Sequence, residues 1–248
     1  MLTNKHPRDN KITFEEGPHI YTINGDSSFT SVTTFCHSHF EKFDADKIID
    51  KMMASKKWPN SKYFGNTKDQ IKTLWNNNGQ KARTAGTKLH YDIECFYNGI
   101  PNENTSDEYK YFLDYHKGVV WKPYRTEWMV YHEDLKLAGS IDMIYEDDDG
   151  NLIIADWKRC KEIKKTNRFR SSHTECISHL PDSNFWHYAL QLNTYRMILE
   201  EKYNKKIIDM FIICLHPDNN TWQKHKIPFL HTEMSDLCNE RLKQISSL

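Results

Sequence analysis

Apolar and polar positions repeat along this chain with the period of an α-helix in some segments and of a β-strand in others. Helical spacing predicts helices over residues 31–41, 44–55, 67–97, 107–120, 185–203 and 233–245. Ser31 is suited to cap the first of them, and Asn76–Gly79 should interrupt or kink the third. Two short strands, joined at Gly17-Pro18, are expected within residues 11–23.

Strand patterns dominate the second half. They predict a meander of three consecutive strands, followed later by two more, over residues 125–131, 135–145, 152–158, 207–215 and 221–227. A long polar loop, from Arg159 to about Asn184, follows the meander. This order predicts an α/β fold with a central mixed β-sheet flanked by helices and an N-terminal helical elaboration. We expect residues 1–78 to form the elaboration, which could arch over a site, and residues 79–248 to form the core.

Length and composition fit one folded domain with additions. A chain of 248 residues can bury a sizeable core. Its 34 basic and 34 acidic residues balance, so a groove for nucleic acid would need local clustering of cations. The abundance of Asn and Lys is typical of an AT-rich genome, such as a viral one.

The cysteines and apolar runs bear on location. Six scattered cysteines, without close pairs, are typical of reduced thiols. No apolar run is long enough to cross a bilayer, and the N-terminus lacks the apolar core of a secretory signal. We therefore expect an intracellular protein, cytoplasmic or nuclear, that does not engage a membrane.

The hairpin between the second and third meander strands carries the candidate chemistry. If its loop is Asp148–Gly150, with Gly150 at positive φ, Asp142 lies across from Asp156 with Cβ atoms about 5 Å apart. Lys158, two residues further on, shares their face. A two-residue loop would instead place the aspartates on opposite faces.

Apolar neighbours indicate that this hairpin is covered on both faces. Alternation places Ile141 and Met143 on one side, and Leu152 and Ile154 on the other. Two carboxylates held close together there repel each other, so at least one should be protonated unless a cation is present. Oxygen ligands favour Mg²⁺ or Mn²⁺, as one ion or two. A solvated hairpin with ordinary polar residues is the alternative.

Four other residues are candidates for the same site. Glu127 lies in the preceding strand and reaches Asp142 if the two strands pair. His90 follows Gly86 by one helical turn, and a glycine there permits close approach. Gln191 and Tyr195 share a helix face and can hydrogen-bond phosphate oxygens or orient a lysine. The alternative for each of them, considered alone, is an ordinary surface, core or boundary residue with no functional role.

The ordered set resembles the PD-(D/E)xK nuclease superfamily. It comprises Gly86-x-x-x-His90, Glu127, Gly139-x-x-Asp142, Asp156-x-Lys158 and Gln191-x-x-x-Tyr195. The similarity covers about residues 80–200. It is greatest to the RecB-like and lambda-exonuclease-like branch, which includes the mitochondrial genome maintenance exonuclease group. In the motif that names the family, a proline precedes the first aspartate. Here Ile141 occupies that position, directly before Asp142.

This resemblance implies a metal-dependent deoxyribonuclease, and an exonuclease in particular. Asp142, Asp156 and the Trp157 carbonyl would hold Mg²⁺ or Mn²⁺, with Glu127 and His90 completing one or two sites. Lys158 would position or activate the attacking water and offset charge on the phosphate. Gln191 and Tyr195 would support the lysine and the substrate backbone. These residues are the predicted catalytic and metal-binding set.

The resemblance also implies a nucleic-acid substrate and protein partners. DNA, single-stranded or with free ends, would be the substrate, with RNA not excluded. Replication or recombination proteins would be partners in DNA repair or recombination. Some relatives carry a four-cysteine iron–sulfur cluster, but this chain lacks clustered C-terminal cysteines, so we predict no iron–sulfur cluster. His173, Cys176 and His179 could bind zinc with Cys160, although solvated loop residues are the favoured interpretation.

Two segments could contact the substrate. The loop after Lys158 is basic, and its candidate nucleic-acid-binding residues are Arg159, Lys161, Lys164, Lys165, Arg168, Phe169 and Arg170. A second segment supplies Lys57, Trp58 and Tyr63, where cations and aromatics alternate as in a single-strand channel. Solvated loops are the alternative for both. A structure-specific or cap-snatching-like endonuclease, and a non-catalytic nucleic-acid-binding domain with a retired site, are the alternative functions.

Overall fold

A computed structural model describes residues 4–247. Its helices are α1 (Val32–His37), α2 (Ala45–Met53), α3 (Lys68–Tyr97), α4 (Asp107–Lys117), α5 (Asn184–Tyr203) and α6 (His231–Ser246). Its strands are β1 (Ile12–Glu15), β2 (Ile20–Ile23), β3 (Thr30–Ser31), β4 (Lys122–His132), β5 (Leu137–Glu146), β6 (Leu152–Lys158), β7 (Ile207–Cys214) and β8 (Gln223–Lys226).

One mixed sheet of six strands organises the molecule, with β5 at its centre. β4 pairs antiparallel with one edge of β5 along its whole length. The other edge pairs with β3 at Leu137–Ala138 and with β6 at Met143–Glu146. β7 runs parallel to β6, and β8 antiparallel to β7. The sheet packs against α1, α5 and α6 on one face and against α3 and α4 on the other. The predicted α/β fold with a mixed central sheet is confirmed.

Helix α3 corrects one expectation from the sequence. It runs without interruption through Asn76–Gly79, after a capping box at its start in which Thr67 and Gln70 exchange hydrogen bonds. Glycine costs a helix only about 1 kcal/mol relative to alanine, which capping and packing outweigh. The predicted interruption is therefore wrong. The boundary drawn between residues 78 and 79 falls inside α3, and the division into two parts stays a prediction.

The β5–β6 hairpin has the register that its turn residues predict. Asp147 donates its N–H to the Asn151 carbonyl at 3.0 Å, which closes a three-residue loop, and Gly150 has φ +78°. Met143 pairs with Ala155, as that loop length requires. The N-terminal hairpin β1–β2 is also confirmed, as are the meander strands within a few residues of their expected ends.

Candidate active site

A gap in the strand pairing of β5 frames the site. β3 and β6 pair with the same edge of β5 at its two ends, and on that edge no strand in the described part of the chain pairs with Gly139–Asp142 between them. The Asp142 carboxylate uses this gap: its Oδ2 accepts the backbone N–H of Trp157 at 2.9 Å. At this point the Asp142 side chain of β5, and not the β5 backbone, bonds the backbone of β6.

Glu127 stands directly across β4 from Asp142 in a left-handed backbone conformation. Its φ is +45°, and the ladder pairs on either side place it opposite Asp142. Non-glycine residues pay about 1–3 kcal/mol for such a conformation, which recurs at functional sites. Ile141 and Ile144 both pack beneath α5, whereas Met143 faces α3 and α4. The predicted sharing of one side by Ile141 and Met143 is therefore wrong, because β5 switches face beside Asp142.

Three metal-ligating side chains converge at this switch. His90 of α3, Glu127 of β4 and Asp142 of β5 each offer a ligand atom, and these atoms lie within 4.8 Å of one another. The His90 Nδ1 is 3.5 Å from Asp142 Oδ2. All three side chains are partly exposed, so a ligand can reach them. We call these three residues the triad.

Two residues that the sequence did not point to support the triad. The Ser140 hydroxyl donates to Glu127 Oε2 at 3.0 Å. Tyr21, on β2 of the N-terminal hairpin, is buried and hydrogen-bonds the backbone of Ser140. Ser140 could have been noticed as part of the Gly139–Asp142 motif. Tyr21 carries no local signal, because only tertiary packing brings its hairpin to the sheet.

The triad holds more negative charge than its surroundings stabilise. Burial and, after it, the Asp142 carboxylate raise the pKa of Glu127 to about 8, against the opposing effect of the Ser140 hydrogen bond. Without a cation, Glu127 is therefore largely protonated at neutral pH. A carboxyl kept from ionising by a neighbouring carboxylate is the electrostatic signature of a site that accepts a positive ion.

Asp156 and Lys158 form the other half of the site, on β6. Lys158 Nζ lies 2.5 Å from Asp156 Oδ2; the Asp156 side chain is buried and that of Lys158 is partly buried. Burial raises the pKa of Asp156 to about 6 against the opposing effect of Lys158. Burial also works against the charge on Lys158, but Asp156 and Asp142 outweigh it and raise the pKa of the ammonium. The pair is thus ionised at neutral pH, and Lys158 stays a cation.

Helix α5 covers the lysine and the glycine of β5. The Lys158 ammonium lies 4.8 Å from the centre of the Tyr188 ring, a contact that the sequence did not indicate. Tyr195 is buried and hydrogen-bonds Gln191 one turn earlier. A Cβ at Gly139 would come within 2.7 Å of the Tyr195 hydroxyl. Only glycine therefore fits beneath Tyr195, which explains the glycine of the Gly139–Asp142 motif.

Gly86 has the opposite environment. A Cβ at this position would meet nothing within 4 Å. Gly86, His90 and Glu127 line a groove of about 560 Å³ that opens beside the triad. The glycine thus leaves the surface of α3 open where a substrate would approach the candidate metal ligands.

The predicted nucleic-acid-binding residues divide into two groups. Some are engaged by acidic partners: Arg159 bonds Glu108 at 2.8 Å, and Lys161 bonds Asp218 at 3.0 Å. Others are exposed: Lys164 and Arg170 also form ion pairs, with Glu162 at 3.4 Å and with Glu41 at 3.3 Å, and Lys165, Arg168 and Phe169 complete the exposed group.

The second predicted segment lies beside α2 and α3. Lys57 and Trp58 line a groove on the flank of α2. Tyr63 packs with its ring 5.9 Å from that of Trp75, on α3. Within the described residues, His173, Cys176 and His179 do not converge with Cys160 into a metal-binding group; the group of ligands that does converge is the triad.

Comparison with known proteins decides the family. The model of the PD-(D/E)XK nuclease superfamily matches residues 103–245, more than half of the chain. This chain belongs to the PD-(D/E)XK nuclease superfamily. The matched region contains Glu127, Asp142, Asp156 and Lys158, whereas His90 lies before it on α3.

Relatives of this superfamily member are distant. No curated protein matches it. A solved structure described as the crystal structure of SSO0001 is 13% identical over 88% of this chain and 77% of that one, with a TM-score of 0.34. That likeness is too low to add to the assignment.

Within residues 4–247, no helix combines the length and apolar character needed to cross a bilayer.

The residues of this PD-(D/E)XK nuclease fit the divalent metal that its superfamily typically uses. The triad offers two carboxylates and an imidazole, a donor set suited to Mg²⁺ or Mn²⁺. Asp156 Oδ2 is buried and, despite its ion pair with Lys158, lacks a hydrogen bond with suitable angles. This carboxylate, already paired with Lys158, lies beside the triad as a further oxygen donor.

Proposed function

We propose that this protein hydrolyses phosphodiester bonds of DNA with Mg²⁺ or Mn²⁺, and that it acts as an exonuclease on DNA ends or single strands. The convergence of the triad beside the Asp156–Lys158 pair carries the proposal. Family membership supports nuclease chemistry. The preference for DNA and for ends rests on the motif order that resembles the RecB-like and lambda-exonuclease-like branch.

The triad would hold the cation, with Asp156 and the Trp157 carbonyl as further oxygen donors. A bound divalent cation supplies Lewis-acid stabilisation of the negative charge that develops on the phosphate. Asp142 is held for this task by the Trp157 N–H, and Glu127 by the Ser140 hydroxyl. Each carboxylate keeps free lone pairs, so these hydrogen bonds orient the ligands without occupying them.

Lys158 would act as a fixed cation. Because Asp156 and Asp142 raise its pKa, Lys158 does not accept a proton near neutral pH. Its ammonium can donate hydrogen bonds to the attacking water or to a phosphate oxygen, and it offsets charge in the transition state. Tyr188 and the Gln191–Tyr195 pair would hold the lysine and the adjacent strand in place.

Digestion of four labelled substrates tests this function. Linear and circular DNA, each single- and double-stranded, would be incubated with Mn²⁺ and with EDTA. We expect loss of linear substrate with Mn²⁺, no loss with EDTA, and survival of the circles. Cleavage of circles would favour a structure-specific or cap-snatching-like endonuclease. The absence of any Mn²⁺-dependent cleavage, of DNA or of RNA, would favour a retired site. An intracellular location and replication or recombination partners stay predictions.

A further inference from the structure

Two segments far apart in the sequence meet on one surface. A groove of about 460 Å³ has Lys47 and Lys51 of α2 on one wall and Phe169 and Arg170 of the long loop on the other. A second groove, of about 680 Å³, shares Lys51 and continues past Lys57 and Trp58. We call this continuous surface the α2 groove. It joins the two predicted nucleic-acid-binding segments, which are far apart in the sequence.

Hydrogen bonds hold Phe169 in place although it is 94% exposed. The Asn167 side-chain oxygen accepts the backbone N–H groups of Phe169 and Arg170, at 3.0 and 3.2 Å. The Asn167 amide donates to the Asp182 carbonyl at 2.7 Å. Arg170 also forms an ion pair with Glu41, at 3.3 Å, which ties the loop to the segment before α2. The ring is thus presented to solvent from an anchored backbone.

Charges on α2 are sorted between its two sides. Asp46 and Asp50 form ion pairs at 2.6 Å with Lys72 and Lys68 of α3. Lys47 and Lys51 line the groove, where Lys47 forms an ion pair with Glu41 at 2.8 Å. In total, five cationic side chains line the α2 groove against two carboxylates, Glu41 and Asp44. A chain with no net charge thereby concentrates positive charge on one surface.

The α2 groove adjoins the active site through α1. The His37 ring, at the end of α1, lies 5.3 Å from the His187 ring on α5. The Lys158 ammonium lies over the ring of Tyr188, the next residue of α5. In the other direction, Glu41 of the groove lies four residues after His37. These contacts connect the groove to the surroundings of Lys158 through His37 and α5.

We propose that the α2 groove binds single-stranded nucleic acid and leads it to the active site, an inference that rests on the proposed nuclease function. Cations would contact the phosphates, and the exposed faces of Phe169 and Trp58 would stack on bases. A duplex keeps its base faces buried and offers nothing for these rings to stack on. The groove therefore favours a single strand.

Binding without cleavage tests this inference. The anisotropy of a labelled 20-nucleotide oligothymidine would be measured in EDTA, at several salt concentrations, with the full chain. Phe169→Ala should weaken binding about 5- to 150-fold, the loss of one stacked base. Lys51→Ala should reduce the slope of log affinity against log salt by about 0.7, the loss of one phosphate contact. Val120→Ala and Lys117→Ala, at exposed positions outside the groove, are the matched controls and should bind as the wild type does.

The inference is overturned if both groove variants bind with wild-type affinity and salt slope, or if blunt duplex binds as tightly as the single strand. Failure of the nuclease proposal has a different readout. In that case the wild type would cleave no substrate with Mn²⁺, while its groove-dependent binding in EDTA would persist.

Discussion

The two halves of the candidate active site balance their negative charge in different ways. On β6, Asp156 has its own cation, because Lys158 lies 2.5 Å away. On β4 and β5, Glu127 and Asp142 face each other, and within the described residues neither forms an ion pair with lysine or arginine. The ion-pair partner of Asp142 in the described residues is His90, at 3.5 Å, which is charged only when it is protonated. The difference in pKa follows: Glu127 is raised to about 8, and Asp156 to about 6.

This contrast indicates where an external cation belongs. A carboxylate already paired with lysine gains less from a metal than two carboxylates that repel each other. We therefore assign metal holding mainly to the triad and charge stabilisation mainly to Lys158. The predictions below test that division of labour.

Lys158→Ala should produce the largest effect. Removal of a positioned donor for transition-state charge typically costs about 10²–10³ in rate. We expect DNA cleavage to fall at least that far while Mn²⁺ affinity is retained, because the triad is intact. Cleavage of labelled linear DNA provides the measurement, with Lys117→Ala on α4 as control. Cleavage at the normal rate would remove Lys158 from the mechanism.

Asp142→Asn should abolish stabilisation by metal. A ligand present at 100 times its dissociation constant stabilises a protein by about 2.7 kcal/mol. We expect Mn²⁺ to raise the melting temperature of the wild type and of Lys158→Ala, but not that of Asp142→Asn. An equal Mn²⁺-induced rise in Asp142→Asn would show that the cation binds elsewhere.

Two glycines extend the comparison to packing. Gly139→Ala places a Cβ within 2.7 Å of Tyr195, and such overpacking typically costs about 1–3 kcal/mol. Gly86→Ala meets open space on α3, so helix propensity should stabilise the fold by up to about 1 kcal/mol. Denaturant unfolding in EDTA measures both. The packing argument is wrong if the two variants shift stability in the same direction.

The comparison also predicts how stability without metal depends on pH. The pKa of Glu127 is raised on folding, so the folded state keeps a proton that the unfolded chain has lost. Stability from this group is full below its unfolded pKa, near 4.5, and is lost as pH rises towards about 8. Melting in EDTA should therefore occur at lower temperature as pH rises across this window. Glu127→Gln should flatten the profile, and an unchanged slope would exclude Glu127 as the titrating group.

The sequence contained enough to predict the hairpin and much of the fold. Gly150 and the acidic residues before it define the loop, and the loop length sets the register through Met143 and Ala155. Local turn chemistry decides such features, so they can be derived from a few residues.

Other features depend on contacts that are distant in the sequence. The left-handed backbone of Glu127 persists because the surrounding sheet and Ser140 hold it, and no local pattern predicts it. Tyr21 reaches Ser140 only because the N-terminal hairpin packs on the sheet. Residues 76–79 stay helical because capping and packing outweigh a modest local preference.

Calorimetric titration of Mn²⁺ into Glu127→Gln and Lys158→Ala tests the central claim most directly. Glutamine keeps the shape of Glu127 but removes its charge, while Lys158→Ala removes the built-in cation of the other half. The account predicts that Mn²⁺ binding is lost or greatly weakened in Glu127→Gln and retained in Lys158→Ala. Wild-type Mn²⁺ affinity in Glu127→Gln, together with lost binding in Lys158→Ala, would contradict it.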